Sequence, residues 1–538
     1  MKKAILVLLT VALLLSVFAG CAKDDADDAK TAEVTATAEP VVFRFHNGAE
    51  PESLDPAVVE GVPEHNIHIA LFEGLVTYNP KTLGAEPGVA KSWEVSDDAL
   101  TWTFHLRDNA VWSDGVGITA QQFVDSWLRF MAPETAAVYA YLPAMIIKGA
   151  AEYNAGTGAA KDVAIRAIDK YTFQFELNGP APYALGMLTH YAFSVVPLHA
   201  IEKYGDEWTR PGNMVSNGPF SLKSWTPQDK LVVEKSKTYW DRDAVRLDEV
   251  VFFPIDDYNT ATNMYLNGEI DWLTETPPNQ LDKMKLDKGY GTNASFVTYY
   301  YQFNQTKPPF DDVRVRKAFT MAIDRQELVD QVTRGGQFPA FGITPPLSGL
   351  YPAVVAFEED FDEARRLLAE AGYPGGKGFP KSGILYNTSE THKNIAQYVQ
   401  QKWSEVLGVD VQIENQEWAT YLDNKQNQNF EVARAGWQGD YVDPNTFLTD
   451  LLHSGSGNND GKYASAKFDA LLAKAATLPD GQERYDTLAA AEQLAIGEDF
   501  AVMPFYYYSK ANWIDKDVWG GWYPTILDMH PFKHIYKK

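Results

Sequence analysis

The chain holds a single cysteine, Cys21, in 538 residues. No disulfide can form within it, so packing, hydrogen bonds and ion pairs must hold the fold. It contains no HExxH and no paired Cys-x-x-Cys, which leaves a zinc site without support and no cofactor expected. "PEHNIH" sets His65 and His68 three apart without a carboxylate cluster, and reads as local packing. "GGKGFPKS" lacks the G-x-x-x-x-G-K-[ST] spacing of a phosphate loop and follows a helix stop. "HSGSGNND" carries Ser454 and Ser456 in a polar loop, without the strand-to-helix elbow a nucleophile needs. Nothing here supports catalysis. Positive charge is also short: 47 Lys and Arg stand against 72 Asp and Glu, a net charge of −25. Such a surface repels phosphate backbones, so nucleic acid is not an expected partner, and the excess acidity suits a well-solvated exterior.

Long apolar runs are missing as well, with one exception. "MKK" followed by "AILVLLTVALLLSVFAG" and then Cys21 is the pattern of a lipoprotein signal peptide, residues 1–20. Cys21 would become the lipidated first residue and tie the protein to a bilayer. No later stretch approaches the roughly 20 apolar residues of a spanning helix. Residues 21–40 are rich in Ala, Asp and Thr and almost devoid of large apolar side chains. They cannot offset their ordering entropy and read as a disordered tether. The remainder exceeds one hydrophobic core, so at least two domains are expected.

Within the body, strands and helices mix. "VVFRFHN" alternates like a strand, and "ALTWTFHLR" puts Leu100, Trp102, Phe104 and Leu106 on one face. "TAQQFVDSWLRFM" opens with Thr119 and Gln122 at capping-box spacing, then sets Phe123, Trp127 and Phe130 at helical spacing for the core. "DRQELVDQV" begins with a second capping pair, Asp324 and Glu327. "DEARRLLAEAGYPGG" reads as a helix stopped by Gly372, with Pro374 beyond. The mixture predicts α/β domains.

One stretch poses a question. "ARAGWQGDYVDP", residues 433–444, closes a predicted strand with Arg434, Gly436, Trp437, Gly439 and Asp440 in quick succession. Opposite charges at one strand end either neutralise each other or await a ligand carrying both.

A resemblance favours the ligand. "EPESLDP", "EGVPEHN", "LFEGL", "DGVGITAQQFVDSW", "SNGPFSLKSW", "KPPFDDVRVRKAFTMAIDR", "ILYNTSETHKN", "NQEWATYLD" and "FEVARAGWQGDYVDP" follow one another from about residue 41 to the C-terminus. In this order they resemble the extracytoplasmic oligopeptide-binding proteins of bacterial peptide ABC importers, solute-binding protein family 5. The resemblance implies a large two-lobed α/β fold of the periplasmic-binding-protein type (type II), with a hinge and an additional inserted domain. The hinge lobe would comprise 41–72, 199–295 and 509–538, the inserted domain 73–198, and the second lobe 296–508. Such proteins are monomers and not enzymes; they close around an extended peptide outside the cytoplasm and deliver it to a permease with ATPase subunits.

The resemblance also implies site roles. Asp440 matches the anchor for the peptide amine, and Arg434, His392 and Lys425 match cationic groups for its carboxylate. Glu60, Gly61, Val62, Gly436 and Gln438 would meet the peptide backbone, paired as an added strand. Trp418, Trp437, Tyr139, Tyr300 and Tyr508 would wall side-chain pockets. Gln302 and Thr333 stand where relatives carry an acid and a lysine, and Arg334 is a candidate to substitute. The rival ligands within the same fold are an oligosaccharide, a metal chelate or haem; a secreted hydrolase and an adhesive or signalling lipoprotein are rivals of other classes.

Overall fold

The computed structural model describes residues 39–347, 351–479 and 481–538, apart from the side chains of residues 278, 418 and 419. Cys21, the signal peptide and almost all of the tether therefore lie outside the described residues. Residues 40–538 form one compact unit. No described helix is long and apolar enough to cross a membrane.

Local signals explain many elements. Thr119 and Gln122 make the reciprocal capping box of the helix Ala120–Met131, whose Phe123, Trp127 and Phe130 are buried. The strand Thr101–Leu106 buries Trp102, Phe104 and Leu106 and turns its other face outward. It belongs to a separate four-stranded antiparallel sheet with Ala90–Val95, Thr172–Glu176 and Ile165–Asp169. Gly372, at φ 100°, follows the helix Phe361–Glu370, and its N-cap is Asp360, whose carboxylate accepts from Asp362 and Glu363. Asp324 does cap Glu327, but α-helix persists only over Arg325–Glu327 before a wider π-helical turn, Leu328–Thr333.

The main architectural feature is one eleven-stranded sheet. Two long strands run through its middle, Tyr290–Phe303 and Val502–Ile514. Near one end of this pair Trp272–Leu273 joins Val502–Ile514, followed by Val42–His46, Glu249–Phe253, Lys230–Lys235 and Phe220–Thr226. Near the other end Val432–Gln438 joins Tyr290–Phe303, followed by Gly383–Asn387 and Gln412–Gln416. The central pair is regular from Tyr290 to Ala294 and resumes at Thr298, so the register breaks at residues 295–297. Such a break leaves backbone unpaired and increases local twist. Distinct cores flank it: Phe43, Phe45 and Trp272 belong to one, while Tyr299, Tyr301 and Phe505 belong to another.

Candidate functional site: a cleft beside an open sheet edge

The strand Val432–Gln438 carries the charges noted in the sequence. On one side it pairs antiparallel with Tyr290–Phe303 along its whole length, Gly436 opposite Tyr299 and Gln438 opposite Val297. On its other side the strand Gly383–Asn387 pairs only with Val432 and Ala433. Among the described residues, no strand pairs with the outer edge from Arg434 to Gln438. That edge offers main-chain donors and acceptors to an incoming extended chain. Gly436 is exposed there, and a Cβ on it would sit 3.2 Å from the Arg434 guanidinium.

Asp440 lies just beyond the strand. Its backbone N–H donates to Thr446 Oγ1 at 3.2 Å, and its carboxylate accepts from the Tyr141 hydroxyl at 2.8 Å. Among the described residues no cation pairs with it. Burial pushes its carboxyl up to about 7, against the opposing Tyr141 hydrogen bond. Tyr141 comes from residues 73–198; at a sequence separation of 299 from Asp440, no local sequence signal points to it. A second contact of the same kind is the stacking of Tyr183 on Tyr441, ring centres 5.1 Å apart.

Arg434 does not pair with Asp440. Its Nη1 donates to Asn387 Oδ1 and its Nη2 to the Tyr508 hydroxyl, both at 3.3 Å, and Cζ lies 5.1 Å from the Tyr299 ring centre. Nε is buried without a hydrogen-bond partner. The two charges of the strand end are thus held apart, and among the described residues neither is paired with an opposite charge.

The other expected residues sit in varied surroundings. His392, in the first turn of the helix Glu390–Leu407, is not a cation here. Burial first, and then the charge of Arg434, lower it to about 2, so its imidazole is neutral at physiological pH. Lys425 is not a free cation either, for it pairs with buried Asp460 at 3.2 Å. Val62 is not strand-like: it opens the helix Val62–Leu71, capped by Gly61 at φ 116°. As the first helical residue its N–H has no intrahelical acceptor. Tyr300, 3% exposed, packs in the core with Phe447 and Leu451 rather than walling an open pocket. Gln302 is equally buried, with Nε2 unpartnered. Thr333 lies elsewhere and donates to Gln337 Oε1 at 2.9 Å, while Arg334 pairs with Asp282 at 2.8 Å. Neither Thr333 nor Arg334 is hydrogen-bonded to Gln302.

The remaining residues gather near the two charges. Tyr139 is packed 4.5 Å from the His190 ring, and the charges of Asp440 and Glu60 help burial to raise its hydroxyl's pKa. Burial and then the charge of Glu52 raise the Glu60 carboxyl, with the charge of Lys425 opposing. Trp437 is half-buried with its indole N–H unpartnered. The Trp418 side chain lies outside those described. Among the described residues no cluster of three or more His, Cys, Asp or Glu could hold a metal ion.

Comparison with known proteins sets this arrangement in a family. The periplasmic oligopeptide-binding protein OppA of Salmonella typhimurium is 41% identical over 503 residues, 92% of this chain and 91% of OppA. A crystal structure of a periplasmic oligopeptide-binding protein, OppAIV of Borrelia burgdorferi, superposes with TM-score 0.86 at 38% identity, covering 93% of this chain and all of that one. The Escherichia coli murein tripeptide binding protein MppA, at 37% identity, gives 0.84 over 93% of this chain and 99% of its own. MppA in its unliganded open form gives only 0.73, covering 93% of this chain and 98% of that one. The chain therefore has the two-lobed α/β architecture of these receptors. The family model of bacterial extracellular solute-binding proteins, family 5, matches residues 84–459, and this chain belongs to that family.

Proposed function

We propose that this protein is a non-enzymatic receptor that binds extended oligopeptides outside the cytoplasm and hands them to a peptide ABC importer. The observation that carries the reading is Asp440, a partly buried acid with no cation paired to it among the described residues, beside a strand edge that no described strand covers. A free peptide supplies what is missing there. Its ammonium completes Asp440, its carboxylate completes Arg434, and its backbone adds to the edge at Gly436 and Gln438. Glu60, Gly61 and the free N–H of Val62 flank the peptide's other side. Neutral His392 donates or accepts a hydrogen bond near the carboxylate, and Lys425 contributes through its pair with Asp460. Trp437, Trp418, Tyr139 and Tyr508 bound the space for side chains. Main-chain pairing is common to all peptides, so side-chain tolerance is broad.

The register break at 295–297 is the hinge in this reading, dividing 41–72, 199–295 and 509–538 from 296–508, with 73–198 as the inserted domain. A ligand touching both lobes shifts the population toward closure, by an amount its differential affinity sets. Cys21 carries the lipid that tethers the receptor to the membrane. Small-angle scattering with and without a tripeptide tests the reading. The radius of gyration should fall on binding, and the peptide should emerge intact after long incubation. An unchanged radius would argue against closure, and cleaved peptide would argue for a hydrolase.

A further inference from the structure

Two of the apolar cores follow the lobes of the proposed closing motion. Phe43 and Phe45 share theirs with Phe104 and Phe173, so residues 73–198 are packed onto the hinge lobe as one body. The core of Tyr299, Phe319 and Trp403 is drawn, among the described residues, from 296–508 alone. Tyr441 crosses between them. It lies in 296–508, yet its side chain, 2% exposed, is a member of the first core. Tyr78 and Leu83 cross the other way, into a third core with Phe296 and Phe447.

The way Tyr441 is held gives it a direction. Its hydroxyl donates to Asp450 Oδ2 and accepts from Asn445 Nδ2, both at 2.9 Å, and both partners belong to the helix Asn445–Leu452. The ring is thus fixed to its own lobe and presents a face to the other. Tyr183, just ahead of the short helix Ala184–Met187, lies on that face with ring centres 5.1 Å apart and planes 12° from parallel. Arg484, itself held by Asp443, brings its guanidinium carbon to 5.4 Å from the Tyr183 ring centre. Two aromatic faces and a guanidinium attract one another in such an arrangement. The contact is local. Next to Tyr183 the same two walls part around a cavity of about 610 Å³, with Val138 and Met145 on one side and Thr449 and Leu472 on the other. Tyr441 also follows Asp440 directly in the chain. The residue that meets the ligand amine and the residue that meets the opposite lobe share one stretch of backbone, so drawing one onto its partner brings the other along.

We propose that Tyr183 is a positioning residue for peptide retention: its stack on Tyr441 is a latch that forms as the lobes meet and slows the release of every peptide alike. This latch presupposes the closing receptor proposed above. A closed state stabilised by contacts the ligand does not make is more populated for any ligand, so the gain in retention is common to all. Opening must separate the rings before the peptide can leave. Association begins on the open form and does not feel them.

Stopped-flow kinetics of the whole protein with Ala-Ala-Ala and Ala-Phe-Ala, followed by tryptophan fluorescence, test this. Tyr183→Ala is expected to release both peptides about tenfold faster, by the same factor, with association rates unchanged. The loss of affinity on N-acetylation should stay as in the parent, because Asp440 is untouched. Tyr183→Phe keeps the ring and should restore the parent's release rate. Should Tyr183→Ala fail to fold, Tyr183→Leu, which fills the space without a planar face, is expected to show the same acceleration. Small-angle scattering of the parent separates the two claims. A parent whose radius of gyration does not fall with Ala-Ala-Ala would overturn the closing reading and the latch with it. A parent that closes while the Ala and Leu variants release peptide at its own rate would overturn the latch alone. So would unequal factors for the two peptides, slowed association, or failure of Tyr183→Phe to restore the rate.

Discussion

Asp440 and Asp443 lie in one turn, the first partly and the second almost wholly withdrawn from solvent, and differ in what faces them. Asp443 receives both terminal nitrogens of Arg484, at 2.7 Å each, with the pair 1% and 6% exposed. Asp440 receives a tyrosine hydroxyl and nothing charged. The chain thus supplies a cation for one acid and leaves its neighbour without one. A buried charge is costly unless paired, so the difference separates a structural acid from one that waits for a ligand.

Breaking the completed pair should have the largest effect on the fold. Arg484→Met strands the Asp443 carboxylate and should cost about 3–5 kcal/mol of stability, read by chemical denaturation. Asp440→Asn should do the opposite to the peptide-free protein. Its raised carboxyl means that burial penalises the ionised form: the penalty grows above the ordinary 3.8 and is complete above about 7. The variant should therefore melt higher than the parent at pH 8, with the gain shrinking as pH falls toward 4. Its cost appears in binding instead, about 2–5 kcal/mol of tripeptide affinity, measured by calorimetry. Equal melting of variant and parent at pH 8 would show that Asp440 carries no such strain.

Acidification should sharpen the contrast. Below pH 7 the free Asp440 is protonated, and an arriving ammonium must expel that proton. Tripeptide affinity should then fall with pH, approaching about tenfold per unit, with proton release seen as a buffer-dependent heat. Arg434 keeps its charge throughout this range, so the loss should disappear in Asp440→Asn. The smallest effect is expected for Tyr141→Phe, which removes one hydrogen bond to the carboxylate and should cost about 1 kcal/mol of affinity.

The sequence made local features legible because local physics decides them. The capping box of Thr119 and Gln122, the burial of Trp102 and Phe104, and the stop at Gly372 each depend on a few adjacent residues. The pairing of Arg484 with Asp443 spans 41 positions, and that of Tyr141 with Asp440 spans 299. No periodicity carries such information. The same applies to protonation: His392 and Lys425 look alike as candidate cations, yet burial neutralises the first and Asp460 occupies the second. The open edge at Gly436 depends on where Gly383–Asn387 stops pairing, which is a property of the sheet and not of either strand.

The account's central claim is that the ligand brings the cation Asp440 lacks. Calorimetry of one tripeptide against its N-acetylated form, at pH 7.5 with the unmodified chain, tests it most directly. The account predicts that acetylation weakens binding by well over tenfold, and that Asp440→Asn removes most of that difference. Equal affinity for the two forms would contradict it.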